Sequence, residues 1–303
     1  MEVLVYGAGA LGSLVGGLLA RAHEVTLVGR DPHMRRVRAD GLSIEGAIET
    51  TVHPRTTTDG RGRSADVAIV TTKAYDIDDA ARALATGEYG AICPLSNGLV
   101  EERFTPLEPT ILAGTASYGA RLEAPGRVRC TGIGEVVVGG VTAGSTGESA
   151  AAEQLHRALL AAGIEASVAD DMPKRRYEKL AVNAAINGPS ALARVENGHT
   201  LTGPTGSLAR EAAREVARVA RTDGVDLRPA EAVAAAERVA ADTAANHSSM
   251  REDLDRGRRT EVDAIYGAVI DRAEGAGVDV PVCRTLHSLL CGWEAERGLR
   301  PTG

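Results

Sequence analysis

The amino-acid sequence predicts an α/β fold, with an N-terminal doubly wound sheet followed by a second, all-helical C-terminal domain. Over residues 1–170, short apolar strands alternate with helical segments, which is typical of parallel strands joined by crossover helices. Over residues 171–303, strand patterns nearly vanish and an Ala-rich helical periodicity continues to the end. The change falls at Asp170-Asp171-Met172-Pro173, so we place the domain boundary between residues 170 and 171.

The first predicted elements are a strand, a glycine-rich turn and a helix. Residues 3–6 are apolar or aromatic, and residues 10–20 carry Leu and Val at helical spacing. Between them, Gly7, Gly9 and Gly12 form G-x-G-x-x-G. In this context the glycines allow a tight turn, close approach of the backbone to a pyrophosphate and close packing of the helix, whose N-terminus binds the anion. The sequence therefore predicts a Rossmann-like dinucleotide site, with a merely Gly-rich turn as the alternative.

The end of the second strand bears on the choice of cofactor. Residues 24–29 read as this strand, and Arg30-Asp31-Pro32 follows it. An acidic residue here typically binds the ribose hydroxyls of NADH, whereas Arg suits the 2′-phosphate of NADPH. Asp followed by Pro is also a typical helix start. We assign Asp31 to the helix cap and Arg30 to the phosphate, which favours NADPH over NADH; an ordinary exposed charge is the alternative for Arg30.

Later strands of the first domain end in further polar residues. Lys73 follows a strand at 66–70, and Asn97-Gly98 follows a short strand that begins at Ala91. Ligands of α/β sheets bind at the carboxyl ends of strands. For Asn97 alone, an Asn-Gly turn is the simpler interpretation. Lys73 is one of only three lysines, the other 31 of the 34 basic residues being arginine. In a chain that uses Arg for nearly every cation, such a lysine is either present by chance or has a role that needs an amine able to lose its proton.

The remaining elements follow from the same periodicities. Residues 41–58 read as short strands and turns. Further strands are predicted at 110–118, 127–130, 135–139 and 165–169, with an amphipathic helix at 148–162. Beyond the boundary, helices are predicted at 207–223, 229–246, 261–274 and 283–297.

The second domain opens with a helix that carries an unusual polar stripe. Lys179, Asn183 and Asn187 are each four residues apart and therefore share one helix face. Because Asn is a poor former of helix interiors, such a stripe is hard to explain by packing alone. A cation and two amides can hold a carboxylate and a carbonyl. A solvated helix face is the alternative.

A second polar cluster surrounds residue 261. Thr260 with Asp263 resembles a capping box, which places Glu261 in the first turn of the next helix. The helix dipole favours the ionised form of an acid at that position. Ser249 and Asp253 lie four residues apart on the preceding helix. Glu261 is therefore either a site carboxylate or an acid that only stabilises the helix start.

Composition excludes several classes of protein. A net charge of -7 argues against a nucleic acid or an anionic membrane as the main partner. The four cysteines show no C-x-x-C spacing and no partnered His, so we expect neither a metal site nor a disulfide scaffold. No signal peptide or membrane span is evident, which favours a cytoplasmic protein. The sequence leaves the oligomeric state open, a homodimer included.

Taken together, the motifs resemble those of the ketopantoate reductases (2-dehydropantoate 2-reductases) of pantothenate and coenzyme A biosynthesis. The resemblance covers nearly the whole chain. It rests on Gly7-Ala-Gly-Ala-Leu-Gly12, Lys73, Ser96-Asn97-Gly98, Lys179-Leu-Ala-Val-Asn-Ala-Ala-Ile-Asn187, Asn197-Gly198, Ser248-Ser-Met-Arg-Glu-Asp253 and Gly257-Arg-Arg-Thr-Glu-Val-Asp263. One departure is visible, because Gly188-Pro189 follows Asn187 where the family usually has Pro or Ala and then Leu.

The resemblance implies an NADPH-dependent oxidoreductase that reduces a 2-oxo acid. It implies that NADPH is bound by Gly7, Ala8, Gly9, Ala10, Leu11, Gly12, Arg30, Lys73, Asn97 and Ala120. It implies that the 2-oxo acid is bound by Asn183, Asn187, Asn197 and Ser249. Lys179 would be the catalytic acid that protonates the alkoxide as hydride reaches the carbonyl carbon, and Glu261 would complete the site. Burial would lower the pKa of the lysine towards working pH.

Two other functions remain compatible with the sequence. One is a dehydrogenase of the same architecture that acts on another 2-oxo acid, or an opine-type enzyme that also requires an amine. The other is a non-enzymatic NADP(H)-binding sensor. Lys179, Asn183, Ser249 and Glu261 are all present, which argues against the sensor.

Overall fold

The computed structural model describes residues 1–141 and 146–300, with only the backbone of Thr146. The chain divides into two compact units. The first comprises residues 1–96 and 100–172, and the second joins Asn97–Leu99 to the chain from Pro173 onward. The α/β fold class with a helical C-terminal part is confirmed.

The first unit contains a large sheet and a small one. Its described strands are β1 (Glu2–Tyr6), β2 (Glu24–Val28), β3 (Leu42–Gly46), β4 (Thr50–Val52), β5 (Arg55–Thr57), β6 (Ser64–Val70), β7 (Glu88–Pro94), β8 (Thr110–Ala116), β9 (Gly119–Ala124), β10 (Arg127–Gly132), β11 (Val136–Gly140) and β12 (Ala166–Val168). Among these, eight form the sheet β12-β11-β8-β7-β6-β1-β2-β5, and β4-β3-β10-β9 form the other. Only the β8–β11 pairing of the large sheet is antiparallel among the pairings described.

The strand order places a topological switch at β1. The chain runs from β1 to β2 on one side and later returns to β6 on the other. Both pairings are parallel, so the carboxyl ends of β1 and β6 lie side by side. This is the position at which open α/β sheets bind ligands. The glycine-rich turn after β1 therefore lies at the expected edge of the sheet.

The helices of the first unit cover this sheet. They are α1 (Ala10–Leu19), α2 (His33–Asp40), α3 (Ile77–Leu84) and α4 (Thr146–Ala161), with short 3-10 turns at Ala74–Asp76 and Glu101–Arg103. Residues 3–5 of β1 are buried, as are Leu14, Val15, Leu18 and Leu19 of α1. The core is built mainly from aliphatic side chains, as the low aromatic content of the chain requires.

The described part of the second unit contains helices and no strand. They are α5 (Met172–Ala193), α6 (Asn197–Thr202), α7 (Gly206–Thr222), α8 (Pro229–Asp242), α9 (Ser249–Asp255), α10 (Ala268–Ala276) and α11 (Pro281–Glu296). A π-helical turn at Asp263–Gly267 runs directly into α10. In the part of the chain that the structure describes, no helix combines the length and the apolar character that crossing a membrane would need.

Several described elements differ from the prediction, including the helices α3 and α6, which were not predicted. Strand β9 was not predicted, because its residues are mostly small or charged, are partly exposed and show no alternating burial. Helix α8 ends at Asp242 rather than at 246, since the backbone N–H of Asn246 bonds to the carbonyl of Thr243 and not to that of Asp242. The helix predicted at 261–274 begins as a π-helical turn, a form often found at functional sites.

Candidate functional site

The turn after β1 requires glycine at two positions. Gly7 has a φ of +107°, and a Cβ there would lie 2.6 Å from the backbone nitrogen of Thr72. A Cβ on Gly12 would overlap the carbonyl oxygen of Gly7 and the hydroxyl of Thr71. The Thr71 hydroxyl donates a hydrogen bond to the Gly7 carbonyl at 2.9 Å. The turn is therefore fixed against the end of β6, which is the role expected of the first and third glycines.

Gly9 is open where the other two glycines are crowded. It is exposed, and a Cβ there would meet only the Gly7 carbonyl oxygen, at 3.9 Å. Among the described residues, no side chain caps α1 and no acidic residue lies in its first turn. The N–H groups of this turn can therefore face an anion without a competing carboxylate. The N–H groups of Ala10 and Leu11 have the chemistry that a pyrophosphate requires, whereas Ala8 is buried and its N–H donates to the carbonyl of Val28 at 2.8 Å.

Arg30 lies at the expected place but already has an acidic partner. Its side chain is 86% exposed, and Nη2 is 2.8 Å from Oδ2 of Asp76. Asp76 closes the 3-10 turn that begins directly after Lys73, whose side chain is half-buried. A phosphate at Arg30 would share the guanidinium with this carboxylate. No local pattern relates these two residues, which lie 46 positions apart in the chain.

The cap predicted at Asp31 is present in a shifted form. Its Oδ1 accepts a hydrogen bond from the backbone N–H of Arg35 at 3.1 Å. Helix α2 begins only at His33, so Pro32 precedes the helix instead of occupying its first position. Asp31 therefore serves the helix start, as expected. Ala120, the remaining predicted cofactor contact, lies on β9 opposite Cys130 and is partly buried against the core.

Three predicted site residues from distant parts of the chain meet in the second unit. Asn97 Nδ2 donates a hydrogen bond to Glu261 Oε2 at 2.9 Å. Asn183 Nδ2 faces Asn97 Oδ1 at 3.5 Å. Glu261 is buried, and Asn97 and Asn183 are half-buried. The amide of Asn97 therefore links the carboxylate of Glu261 to the polar stripe of α5.

The Asn97-Gly98 pair also forms a turn, which is the simpler of the two interpretations given above for Asn97. Gly98 has a φ of +89°, and a Cβ there would lie 2.8 Å from the carbonyl oxygen of Ala264. Asn97 therefore combines a turn position with a side-chain contact to Glu261. By its contacts, the segment Asn97–Leu99 belongs to the second unit.

The polar stripe on α5 is not a solvated face. Lys179 and Asn183 are half-buried, and Asn187 is buried. The carbonyl of Asn187 accepts a hydrogen bond from the Ser190 hydroxyl at 3.1 Å. The Ser190 hydroxyl also lies 2.7 Å from that of Ser248, which caps α9 by accepting the N–H of Arg251.

The other two predicted substrate contacts lie near the start of α6 and of α9. Ser249 is the first residue of α9 and is exposed. Asn197 is 7% exposed, and its Nδ2 donates to the hydroxyl of Thr243 at 3.0 Å. Its Oδ1 is buried and has no hydrogen-bond partner among the described residues. This acceptor could receive a hydrogen bond from a ligand.

The capping box predicted at residue 260 was wrong. The N–H and the hydroxyl of Thr260 both donate to Oε1 of Glu294, at 2.7 and 2.6 Å. The hydroxyl accepts the N–H of Val262 at 3.2 Å. Asp263 turns instead to His287 and Arg300, whose hydrogen bonds hold the pKa of its carboxyl well below the usual range. Besides the neighbouring residues Arg259 and Val262, the described partners of Thr260 and Asp263 are His287, Glu294 and Arg300.

Cys291 has a histidine neighbour that the sequence analysis missed. Its Sγ lies 3.5 Å from Nε2 and 3.6 Å from Nδ1 of His287, four residues earlier on α11. With Asp263 these residues form a cluster of metal-ligand types. The sulfur lies nearly as far from one ring nitrogen as from the other, both oxygens of Asp263 accept from Arg300, and burial raises the pKa of the thiol. These features favour an ion-pair network over a metal centre.

Comparison with known proteins places the chain in a family. Residues 3–142 match the family described as Ketopantoate reductase PanE/ApbA, and residues 171–294 match the one described as Ketopantoate reductase PanE/ApbA C terminal. The chain belongs to the ketopantoate reductase family. It is similar to the 2-dehydropantoate 2-reductase of Halobacterium salinarum, with 40% identity over 96% of this chain and 98% of that one.

Solved structures show the same fold in two kinds of enzyme. A PanE/ApbA family ketopantoate reductase from Ralstonia eutropha is 30% identical, with a TM-score of 0.88 over 98% of this chain and 100% of that one. A D-mandelate dehydrogenase, in a ternary structure with NADH and anilino(oxo)acetate, is 26% identical, with a TM-score of 0.90 over 99% of this chain and 100% of that one. The same fold therefore occurs in enzymes with two different names, a ketopantoate reductase and a D-mandelate dehydrogenase.

The departure from the ketopantoate reductase pattern after Asn187 has a structural counterpart. The hydroxyl of Tyr266 accepts the N–H of Gly188 at 2.9 Å and donates to the carbonyl of Ala184 at 2.7 Å. In a regular helix these two backbone groups would bond to each other. A Cβ on Gly188 would overlap the Tyr266 hydroxyl. Sequence reasoning missed Tyr266, although the Gly-Pro pair inside a helical pattern marked the place.

Proposed function

We propose that this chain is an NADPH-dependent 2-dehydropantoate 2-reductase that reduces ketopantoate to pantoate in the cytoplasm. The observation that carries the proposal is the hydrogen-bonded series Glu261–Asn97–Asn183, which ends on the α5 stripe that also carries Lys179. The 40% identity to a named 2-dehydropantoate 2-reductase supports it. We assign residues 1–170 to cofactor binding and residues 171–303 to substrate binding and catalysis.

The residues of the second unit have complementary roles in this proposal. The ammonium of Lys179 donates a proton to the alkoxide that forms on the substrate, and its charge stabilises that oxygen before transfer. The amides of Asn183, Asn187 and Asn197 and the hydroxyl of Ser249 hold the substrate's carboxylate and carbonyl. Glu261 orients the substrate hydroxyl or the lysine ammonium. Asn97 fixes the direction of the Glu261 carboxylate.

Residues of the first unit, together with Asn97 of the second, hold the cofactor. Residues 7–12 would bind the pyrophosphate, Arg30 the 2′-phosphate, and Lys73, Asn97 and Ala120 the remainder of NADPH. When bound, the reduced nicotinamide supplies the hydride. The preference for NADPH rests on Arg30, whose exposed guanidinium can contact a phosphate while it also pairs with Asp76.

A related enzyme for another 2-oxo acid is the second candidate. The observation that favours it is the similarity to a D-mandelate dehydrogenase whose structure contains NADH and anilino(oxo)acetate. The same donors would serve, because every 2-oxo acid presents a carboxylate beside a ketone. Only the contacts to the rest of the substrate would differ.

Steady-state oxidation of NADPH and NADH by the purified protein separates these candidates. The panel contains ketopantoate, an aromatic 2-oxo acid and small aliphatic 2-oxo acids, each with and without an added amine. The proposal predicts the highest kcat/KM for ketopantoate with NADPH and no effect of the amine. A higher kcat/KM for the aromatic acid would support the second candidate. Cofactor binding without turnover of any acid would indicate a sensor.

A further inference from the structure

Glu294 is a fully buried carboxylate with an unusual set of partners. Its Oε1 accepts both the N–H and the hydroxyl of Thr260, and its Oε2 accepts Nη1 of Arg300 at 3.0 Å. Burying a charge is unfavourable unless hydrogen bonds and an opposite charge compensate it. Here one cation and two donors do so. The position of Glu294 on α11 is therefore tied to the position of Thr260.

Arg300 also binds Asp263, which lies on the other side of residue 261 from Thr260. Its Nη2 lies 2.8 and 2.9 Å from the two carboxylate oxygens of Asp263, which also accepts from His287 at 3.1 Å. Thr260 and Asp263 flank Glu261 in the chain. The segment that carries the Glu261 carboxylate is thus held at both ends from the C-terminal part of the chain.

We propose that Glu294 is a positioning residue for Glu261 and acts through Thr260; the proposal rests on the proposed function. The two hydrogen bonds to Glu294 fix the backbone of Thr260, and the Thr260 hydroxyl in turn caps Val262. The backbone on both sides of Glu261 is therefore set. This setting directs the Glu261 carboxylate to Asn97, 2.9 Å away. Catalytic groups must be held to a fraction of an ångström, so loosening this support lowers turnover.

The chain offers a matched control on another helix. Glu215 of α7 is also fully buried, and its two oxygens accept the N–H groups of Val282 and Cys283 at 2.9 and 2.7 Å. None of these described contacts involves residues 260–263. Val282 and Cys283 lie at the start of α11, so Glu215→Gln disturbs the helix that carries Glu294 without removing a hydrogen bond of Thr260.

The first experiment compares four variants by kcat, by NADPH affinity and by melting temperature. Glu294→Gln and Thr260→Val should each lower kcat by about tenfold to a hundredfold at a temperature where both are folded, with NADPH affinity unchanged. Thr260→Ser keeps the hydroxyl and should retain most of the activity. Glu215→Gln should lower the melting temperature and leave kcat near wild type. Equal loss of kcat in Glu294→Gln and Glu215→Gln would overturn the proposal.

A double variant tests whether the effect passes through Glu261. If it does, Glu294→Gln combined with Glu261→Gln should have the kcat of Glu261→Gln alone, because the carboxylate that needs positioning is already gone. Multiplication of the two losses would show that Glu294 acts elsewhere, and would overturn the proposal.

A readout that needs no turnover separates this proposal from the proposed function. The side-chain amide of Asn97 is followed by nuclear magnetic resonance in protein with isotope-labelled asparagine, and Asn97→Asp identifies its signal. The signal should shift in Glu294→Gln and Thr260→Val and stay in place in Glu215→Gln. An unmoved signal in Glu294→Gln overturns the positioning role. A wild-type protein that reduces no 2-oxo acid overturns only the proposed function.

Discussion

Lys179 is the residue on which the proposed chemistry depends most. Lys179→Ala should reduce kcat by the ~10²–10⁴-fold typical of a lost general acid, with NADPH affinity intact. Lys179→Arg should not restore it, because a guanidinium does not release its proton in the useful range. Single-turnover rates and NADPH titrations of both variants provide the measurement. A near-wild-type Arg variant would leave Lys179 only an electrostatic role.

Arg30 should decide the choice between the two cofactors. Arg30→Ala should weaken NADPH binding by ~1.5–3 kcal/mol, the value of a charge-assisted contact, and leave NADH binding nearly unchanged. Asp76→Asn is the companion variant, because it removes the carboxylate that shares the guanidinium. It should tighten NADPH binding. Isothermal titration with both cofactors measures these effects, and equal losses for NADPH and NADH in Arg30→Ala would exclude phosphate recognition.

At the scale of the element, the side-chain hydroxyl of Tyr266 replaces one backbone hydrogen bond of helix α5. Tyr266→Phe removes the group that satisfies both the Gly188 N–H and the Ala184 carbonyl. We expect a loss of roughly 1–3 kcal/mol in the free energy of unfolding, the cost of buried unpaired groups. Urea unfolding followed by circular dichroism measures it. Unchanged stability would mean that α5 closes its own ladder when the hydroxyl is absent.

The same elements show how far local sequence patterns reach. The strand, glycine turn and helix at residues 1–20 were predicted because each signal lies within a few residues of the next. The α5 stripe was predicted for the same reason, since helical spacing relates residues four apart. The π-helical turn before α10 was not predicted. The residues that hold it, at positions 287, 294 and 300, lie on or beyond another helix and leave no local pattern.

At the scale of the whole molecule, the site depends on long-range pairs. Glu261 and Asn97 are 164 residues apart, and Thr260 and Glu294 are 34 apart. The sequence indicated which side chains were chemically unusual, and the family resemblance brought them together. Neither indicated Glu294, because a glutamate on an amphipathic helix looks like an exposed charge. Only the fold shows that it is fully buried.

One histidine ties three elements of the first unit and should make its stability depend on pH. His33 on α2 accepts the N–H of Gly126 at Nδ1, at 2.8 Å, so Nε2 carries the proton and donates to the Ser13 hydroxyl at 2.9 Å. Protonation would place a second hydrogen against the Gly126 N–H. Burial lowers the pKa of His33 below its usual value.

The pH dependence has a definite sign. The unfolded chain takes up a proton at His33 more readily than the folded one, so stability should fall as pH drops below about 6.5. It should level off once the folded His33 is itself protonated. His33→Gln keeps one donor and one acceptor and should flatten this dependence. Unfolding free energies at neutral and mildly acidic pH, for both proteins, provide the test; equal slopes would assign the effect to other groups.

The segment Asn97–Leu99 has a consequence for how the chain is made. These three residues leave the ribosome with the first unit, yet their packing partners belong to the second. Asn97 precedes Glu261 by 164 residues, which is roughly ten to thirty seconds of synthesis at ordinary rates. During that interval the segment lacks its packing partners in the second unit, while the strands on either side of it can already form the sheet. A fragment that starts at Pro173 would contain Lys179, Asn183 and Glu261 but lack the amide that joins two of them, so the two halves cannot be separated by a single cut.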